Sequence, residues 1–203
     1  MTPRGRPPLL SDEAILDAAL SAFATVGYPA MSVRALNAGL GLSHETVSQR
    51  FGSKSDLFRA AVQHGVQRFI ADFGAEIERR SPNDDLELLR ATIAAFIVAT
   101  SHHPTLGDLL HHESISDDQR MILVSQTGFV ERVTDTVALL GRLHAGGIIR
   151  RTGIRELWFL AHGAAAPLHF KELSTMFDPF DGPVDADELV HRMTDAIVRS
   201  MLA

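Results

Sequence analysis

Between Leu42 and Gly52 the chain sets the polar side chains Ser43, His44, Glu45, Thr46, Ser48 and Gln49 around the aliphatic Val47, with Phe51 four residues further on. On a helical wheel Glu45, Ser48 and Gln49 fall opposite Val47 and Phe51, with His44 at the edge. Short and polar, these side chains suit groove edges rather than a core. Gln49 can pair bidentately with adenine, Glu45 can accept from cytosine, and Ser48 can bond either kind of base. Ser32, Ser43 and Lys54 stand at expected helix starts, where side chains, backbone N–H groups and the helix dipole converge on an anion such as phosphate.

A second chemistry to weigh is metal binding, because the chain has ten histidines, including His102-His103 and His111-His112-Glu113. Helical metal sites take ligands three or four residues apart, whereas adjacent histidines point about 100° apart. Pro104 separates the two groups, and both His44-Glu45 and His112-Glu113 lead to a serine, Ser48 or Ser116, where a zinc-protease motif needs histidine. No metal and no cofactor is expected, and the histidines read as surface or pocket-lining residues. A histidine-metal hydrolase is the remote alternative. It lacks a second carboxylate at ligand spacing, a glycine-rich phosphate loop and a G-x-S-x-G turn, so the chain is not expected to be an enzyme.

The elements that must position these residues are all helical. Ser11 is placed to cap a first helix over about 11–26, with Asp12 and Glu13 in the first turn, Ile15, Ala18, Ala19, Ala22, Phe23 and Val26 at helical spacing, and Gly27 at the end. Ser32 caps a short second helix that stops at Gly41, and a third begins after Ser43 and runs to about Phe51. Ser53 and Asp56 have the spacing of a capping box for a long helix to about Arg79. Further helices are expected at 84–101, 105–113, 117–145, 154–172 and 185–202, with breaks at Pro104, Gly146-Gly147 and Pro179 to Pro183, and with Pro167 kinking its helix. No strand alternation is convincing. The expected fold is all-α: an arm and three-helix module over 1–54 and a larger helical domain over 55–203. The second and third helices, joined by a tight turn at Gly41, form a helix-turn-helix packed through Leu36, Leu40, Leu42 and Val47.

Composition agrees with a globular chain: 203 residues, 45% hydrophobic and 22% charged, which excludes a disordered or fibrous class. Zero cysteines exclude a disulfide scaffold and a thiol switch. No apolar run reaches the roughly 20 residues of a membrane helix, and a cytoplasmic location is expected, without a membrane partner. The net charge of -6 opposes a nucleic-acid partner, but its distribution does not. Residues 1–54 hold five cations against four anions, which leaves -7 on the other 149 residues.

The stretches RGRPPLLSDEAILDAALSAFATVGY and MSVRALNAGLGLSHETVSQRFGSKSDLFRAAV resemble the DNA-binding domain of the TetR family of bacterial transcriptional regulators over roughly residues 3–62. The Gly-Arg-Pro arm, the ILDAA helix, the F-x-x-x-G-Y turn, Ser-Val-Arg, Gly-Leu-Ser and Phe-Gly-Ser-Lys coincide at fixed spacing. LHAGGIIR is similar to the family's turn before its last two helices. The resemblance implies a homodimer that joins through those helices, binds a palindromic operator in double-stranded DNA as a repressor, and is released by a small-molecule effector, here unidentified. By position it implies DNA contacts from Arg4 and Arg6 of the arm and from Ser32, Arg34, Ser43, His44, Thr46, Ser48, Gln49 and Lys54, with Glu45 added by the wheel. Ser48 departs from the family's usual aromatic, commonly Tyr. Asn37 replaces a small Ala at the helix crossing and asks a buried amide to find partners.

An effector pocket would draw on Phe69, Phe73, Phe96, Val124 and Phe129, with His102, Gln126 and His162 as polar groups. Trp158, His162, Ala165 and His169 form one stripe at spacings of four, three and four. With Gly163 and Ala164 to Ala166 allowing close approach, Trp158, Ala165 and His169 are expected at a dimer seam. The alternative within binding proteins is a helix-turn-helix regulator controlled by a protein partner, with no small-molecule pocket.

Overall fold

A computed structural model describes residues 10–125 and 127–203, and among them the regular elements are all helices. These are α1 (Asp12–Ala30), α2 (Val33–Gly39), α3 (Thr46–Phe51), α4 (Lys54–Arg80), α5 (Asp85–His102), α6 (Pro104–His111), α7 (Asp117–Val124), α8 (Thr127–Ala145), α9 (Ile154–His169), α10 (Lys171–Thr175), α11 (Asp178–Asp181) and α12 (Ala186–Met201). The one extended pairing among the described residues is the isolated bridge between Ile149 and Leu202. No helix among them is long and apolar enough to cross a membrane.

The chain divides into two compact units. The first runs through Gly65 and takes in Asp108–Leu123; the second comprises Val66–Gly107 and Val124–Ala203. In the first unit the buried residues include Ile15, Ala19 and Phe23 of α1, Leu36 of α2, Val47 of α3, and Leu57, Phe58, Ala61 and Val62 at the start of α4. Full burial of an aromatic such as Phe23 or Phe58 stabilises by about 2–3 kcal/mol. Their rings cross edge to face at 5.0 Å, and Tyr28 stacks on Phe23 at 5.7 Å.

Local signals set the ends of these helices. Ser11 Oγ accepts from Ala14 N and Ser32 Oγ from Ala35 N. At the start of α4 the capping box is complete: Ser53 N and Ser53 Oγ both donate to Asp56 Oδ2, and Asp56 N donates back to Ser53 Oγ. The Asp56 carboxyl is held below its ordinary range by these bonds from Ser53, with Arg59 adding a smaller charge contribution. At Gly27 (φ 75°, ψ 161°) the helical backbone of α1 is interrupted before the turn Gly27–Ala30. The segment expected as one helix over 117–145 is two, α7 and α8, separated at Ser125. The segment expected over 154–172 ends at His169, and Pro167 lies inside it near the C-terminal end, where its ring removes the one N–H that would donate to Gly163 O.

The core of the second unit joins Leu89, Ile93 and Ile97 of α5, Leu139, Leu140 and Leu143 of α8, Leu157, Ala161 and Ala165 of α9, and Val190, Ile197, Val198 and Met201 of α12. Ion pairs tie the same helices: Arg90 with Asp195, and Arg142 with both oxygens of Asp85 at 2.7 and 2.8 Å. At the C-terminal end of α4, Glu76 is buried and accepts from Arg79 Nε and Nη2 and from Arg80 Nε at 2.7–2.8 Å. The bond from Arg79 is the largest influence on its carboxyl; with Arg80 it outweighs burial and holds Glu76 below the ordinary range. A carboxyl depressed in the folded state contributes stability above its unfolded pKa, about 4.3, and loses it as pH falls through the folded value. A Glu76→Gln variant should therefore melt below wild type at neutral pH, and the gap should close on acidification. A gap that is constant between about pH 7 and pH 3 in thermal melts would rule the ionic contribution out.

Candidate nucleic-acid interface and effector cavity

Helix α3 presents a polar surface because its one buried residue, Val47, faces the first unit's core. Ser43, His44, Glu45, Ser48 and Gln49 are exposed, and Thr46 is half-buried. Two internal bonds order this surface: Ser43 Oγ pairs with Thr46 Oγ1 at 2.7 Å, and Gln49 Nε2 donates to Glu45 Oε2 at 3.2 Å. The second holds the Gln49 amide and the Glu45 carboxylate side by side, so both meet one neighbourhood of any groove that α3 enters.

Asn37 fixes the angle of α3 to α2. Its side chain is fully buried; Nδ2 donates to Val33 O at 3.1 Å and His44 O at 3.0 Å, and Oδ1 accepts from Val47 N at 3.2 Å. The amide thus finds its partners on the turn and the first residues of α3, which replaces the close contact of a small residue by a hydrogen-bonded joint.

The cations of the motif are not equivalent. Arg50 forms an ion pair with Asp12, and its Nη1 donates to Leu10 O at 2.7 Å, so it anchors the start of α1. Lys54 lies over the Tyr28 ring, 4.8 Å from its centroid, and donates to Pro29 O at 3.2 Å, which leaves two of its three donors open. Arg34 is exposed and makes no hydrogen bond or ion pair among the described residues. Ser32 is also exposed and uses its oxygen as the cap of α2, leaving the hydroxyl proton available. Arg4 and Arg6 lie outside the described residues, as does Gln126.

In the second unit a cavity of about 60 Å³ opens among α4, α5, α8 and α9. Phe69, Phe73, Phe96 and Phe129 line it, together with Ile70, Thr92, Ile93, Arg132, Val133, Thr136, Ile154, Leu157, Trp158 and Ala161, which sequence reasoning did not place at a pocket. Arg132 lies three residues beyond Phe129 on α8, so helical spacing from that phenylalanine could have found it. Val124, His102 and His162 do not line this cavity. His103 Nε2 and His102 Nδ1 instead approach Asp72 Oδ2 at 2.9 and 3.4 Å. Burial raises the Asp72 carboxyl, but the bonds and charge of His103 and then His102 outweigh it and leave the group below its ordinary range. Among the described residues no group of three or more His, Asp or Glu side chains is arranged to hold a metal ion.

On the α9 stripe Trp158 and Ala165 pack within their own unit, which corrects their expected place at a dimer seam. Trp158 meets Phe96 at 4.8 Å and Phe129 at 5.6 Å, Ala165 is 1% exposed within its own chain, and His169 is half-buried against Phe170. An apolar stripe alone cannot tell which of two surfaces it serves, and here Trp158 and Ala165 serve their own unit. The large apolar residues left exposed on α9 are Phe159 and Leu160, at 65% and 39%.

Comparison with known proteins bears on the first unit most directly. Residues 15–61 match the family model of bacterial regulatory proteins, tetR family. Over this stretch the chain is similar to the TetR family. The HTH-type transcriptional repressor ComR of Escherichia coli (strain K12) is 34% identical over 93 residues, a stretch that is 45% of this chain and 44% of that relative. The aligned part thus spans under half of the curated relative. Among solved structures, the TetR family transcriptional regulator PfmR from Thermus thermophilus has a TM-score of 0.61 at 24% identity, covering 91% of this chain and 97% of its own. HlyIIR, a hemolysin II transcriptional regulator, has a TM-score of 0.58 at 16% identity, covering 90% and 93%. At these identities the likeness is one of fold, and it extends the TetR-like architecture over both units.

Proposed function

We propose that this chain is a TetR-family DNA-binding transcriptional repressor that acts as a homodimer on a palindromic operator and leaves it when a small molecule occupies the second unit. The observation that carries this reading is the exposed polar surface of α3, held at a set angle by the buried Asn37. Ser43, His44, Glu45, Thr46, Ser48 and Gln49 are the base- and backbone-contacting set, with Ser32, Arg34 and Lys54 on phosphates and Arg4 and Arg6 as an arm. Residues 1–54 serve as the reading head and 55–203 as the effector-binding and dimerisation part. Phe159 and Leu160 of α9 suit a seam with a second copy, since both are large, apolar and exposed.

Operator fragments selected from the source genome test the reading. Gln49→Ala should relax preference at one operator position, whereas Lys54→Ala should weaken all sequences alike and reduce the salt slope by about one. The loss for Lys54 should be modest, because its charge already sits over Tyr28 and is partly compensated there. A binding profile unchanged by Gln49→Ala would remove α3 from the interface, and one unchanged by Lys54→Ala would remove the start of α4.

A further inference from the structure

We infer that the effector of this protein is a small aromatic carboxylate, its ring held in the aromatic cavity and its carboxylate paired with Arg132. The inference rests on the reading of the second unit as the effector domain and adds the chemical class. Four phenylalanines and Trp158 surround the cavity, and Arg132 is the only charged residue among its lining. The Arg132 guanidinium lies over the Phe73 ring, 5.9 Å from its centroid, and makes no hydrogen bond or ion pair among the described residues. Five N–H donors therefore meet the mouth of an apolar cavity with no protein acceptor committed to them. A carboxylate is the group whose geometry matches that fork.

The surroundings narrow the class further. Phe73, Thr92, Arg132 and Thr136 also border a wider, more polar cavity of about 300 Å³, so Arg132 stands between the two spaces. The other cation there, Arg142, is committed to Asp85 through two hydrogen bonds. Asp135 also borders the wider cavity, where its charge repels an anion and favours a carboxylate on the aromatic side of Arg132. The two threonine hydroxyls donate to their own helices, Thr92 to Leu88 O and Thr136 to Arg132 O, so neither competes with Arg132 as a donor to the ligand. At about 60 Å³ the cavity is smaller than the roughly 150 Å³ that holds a benzene ring, so a ring enters as the lining side chains shift outward.

The test is calorimetric binding to the full-length protein with phenylacetate, its neutral isostere phenylacetamide, and octanoate. Phenylacetate should bind about tenfold or more tightly than phenylacetamide, the margin of a charge-assisted bond. In Arg132→Gln the two should bind alike, with the affinity for phenylacetamide kept. Equal binding of the two to wild type, a preference that persists in Arg132→Gln, or no binding of phenylacetate overturns the inference. Tighter binding of octanoate overturns the aromatic assignment. Operator binding by unliganded wild type and Arg132→Gln is measured in parallel. If neither binds DNA the regulator reading fails, whereas intact DNA binding without carboxylate preference fails the ligand class alone.

Discussion

An Asn37→Ala variant is expected to lose about 2–4 kcal/mol of unfolding free energy in urea. The truncation takes away the partners of two backbone groups, His44 O and Val47 N, at a position with no solvent exposure. Each orphaned buried group costs about 1–3 kcal/mol, and the void adds to it. The near-isosteric Asn37→Asp separates bonding from volume. It keeps an acceptor for Val47 N but faces Val33 O and His44 O with a carboxylate in place of two donors. Its loss should equal or exceed that of Ala; stability close to wild type in Asn37→Asp would show that the amide is only a filler. Because these bonds set the start of α3, operator affinity should fall in both variants even where the protein remains folded.

A Gly27→Ala variant should be destabilised by about 1–3 kcal/mol from backbone strain alone, since φ 75° with ψ 161° lies where only glycine is comfortable. Sterics add to it. A methyl group built on Gly27 would stand 2.0 Å from Ser114 Oγ and 2.6 Å from His112 Cε1, so the 112–115 turn would have to move. Ser114 Oγ is also bonded to His112 Nδ1 at 2.9 Å, which couples the two side chains that must yield. Adding Ser114→Ala to Gly27→Ala should restore the hydroxyl's share of the loss and leave the backbone share. Urea unfolding that places Gly27→Ala within about 0.5 kcal/mol of wild type, the range of an ordinary surface change, would sink the account.

The legible parts of this protein were those written within one or two helical turns. Ser11, Ser32 and the Ser53–Asp56 box act within three residues of themselves, and all three cap as anticipated. Val47 against the polar residues of α3 is a matter of helical period, and the exposed set follows from it. The two helices read as one over 117–145 show the limit of that method, since their apolar spacing continues across Ser125 with no glycine or proline nearer than Gly128 to announce the break.

By itself, then, the sequence determined the helical class, the caps, the helix-turn-helix with its exposed residues and the family resemblance, because periodicity, capping and motif spacing are local. Tertiary structure alone decided what depends on partners far along the chain. Arg50 is drawn 40 positions back to Leu10, Trp158 turns inward onto Phe96 and Phe129, and residues 108–123 join the first unit. Arg132, an ordinary surface cation by sequence, becomes the one charge lining an aromatic cavity among the described residues. The physical reason is that burial and pairing are properties of packed surfaces, and which surfaces meet is set by the whole arrangement of helices rather than by any one of them.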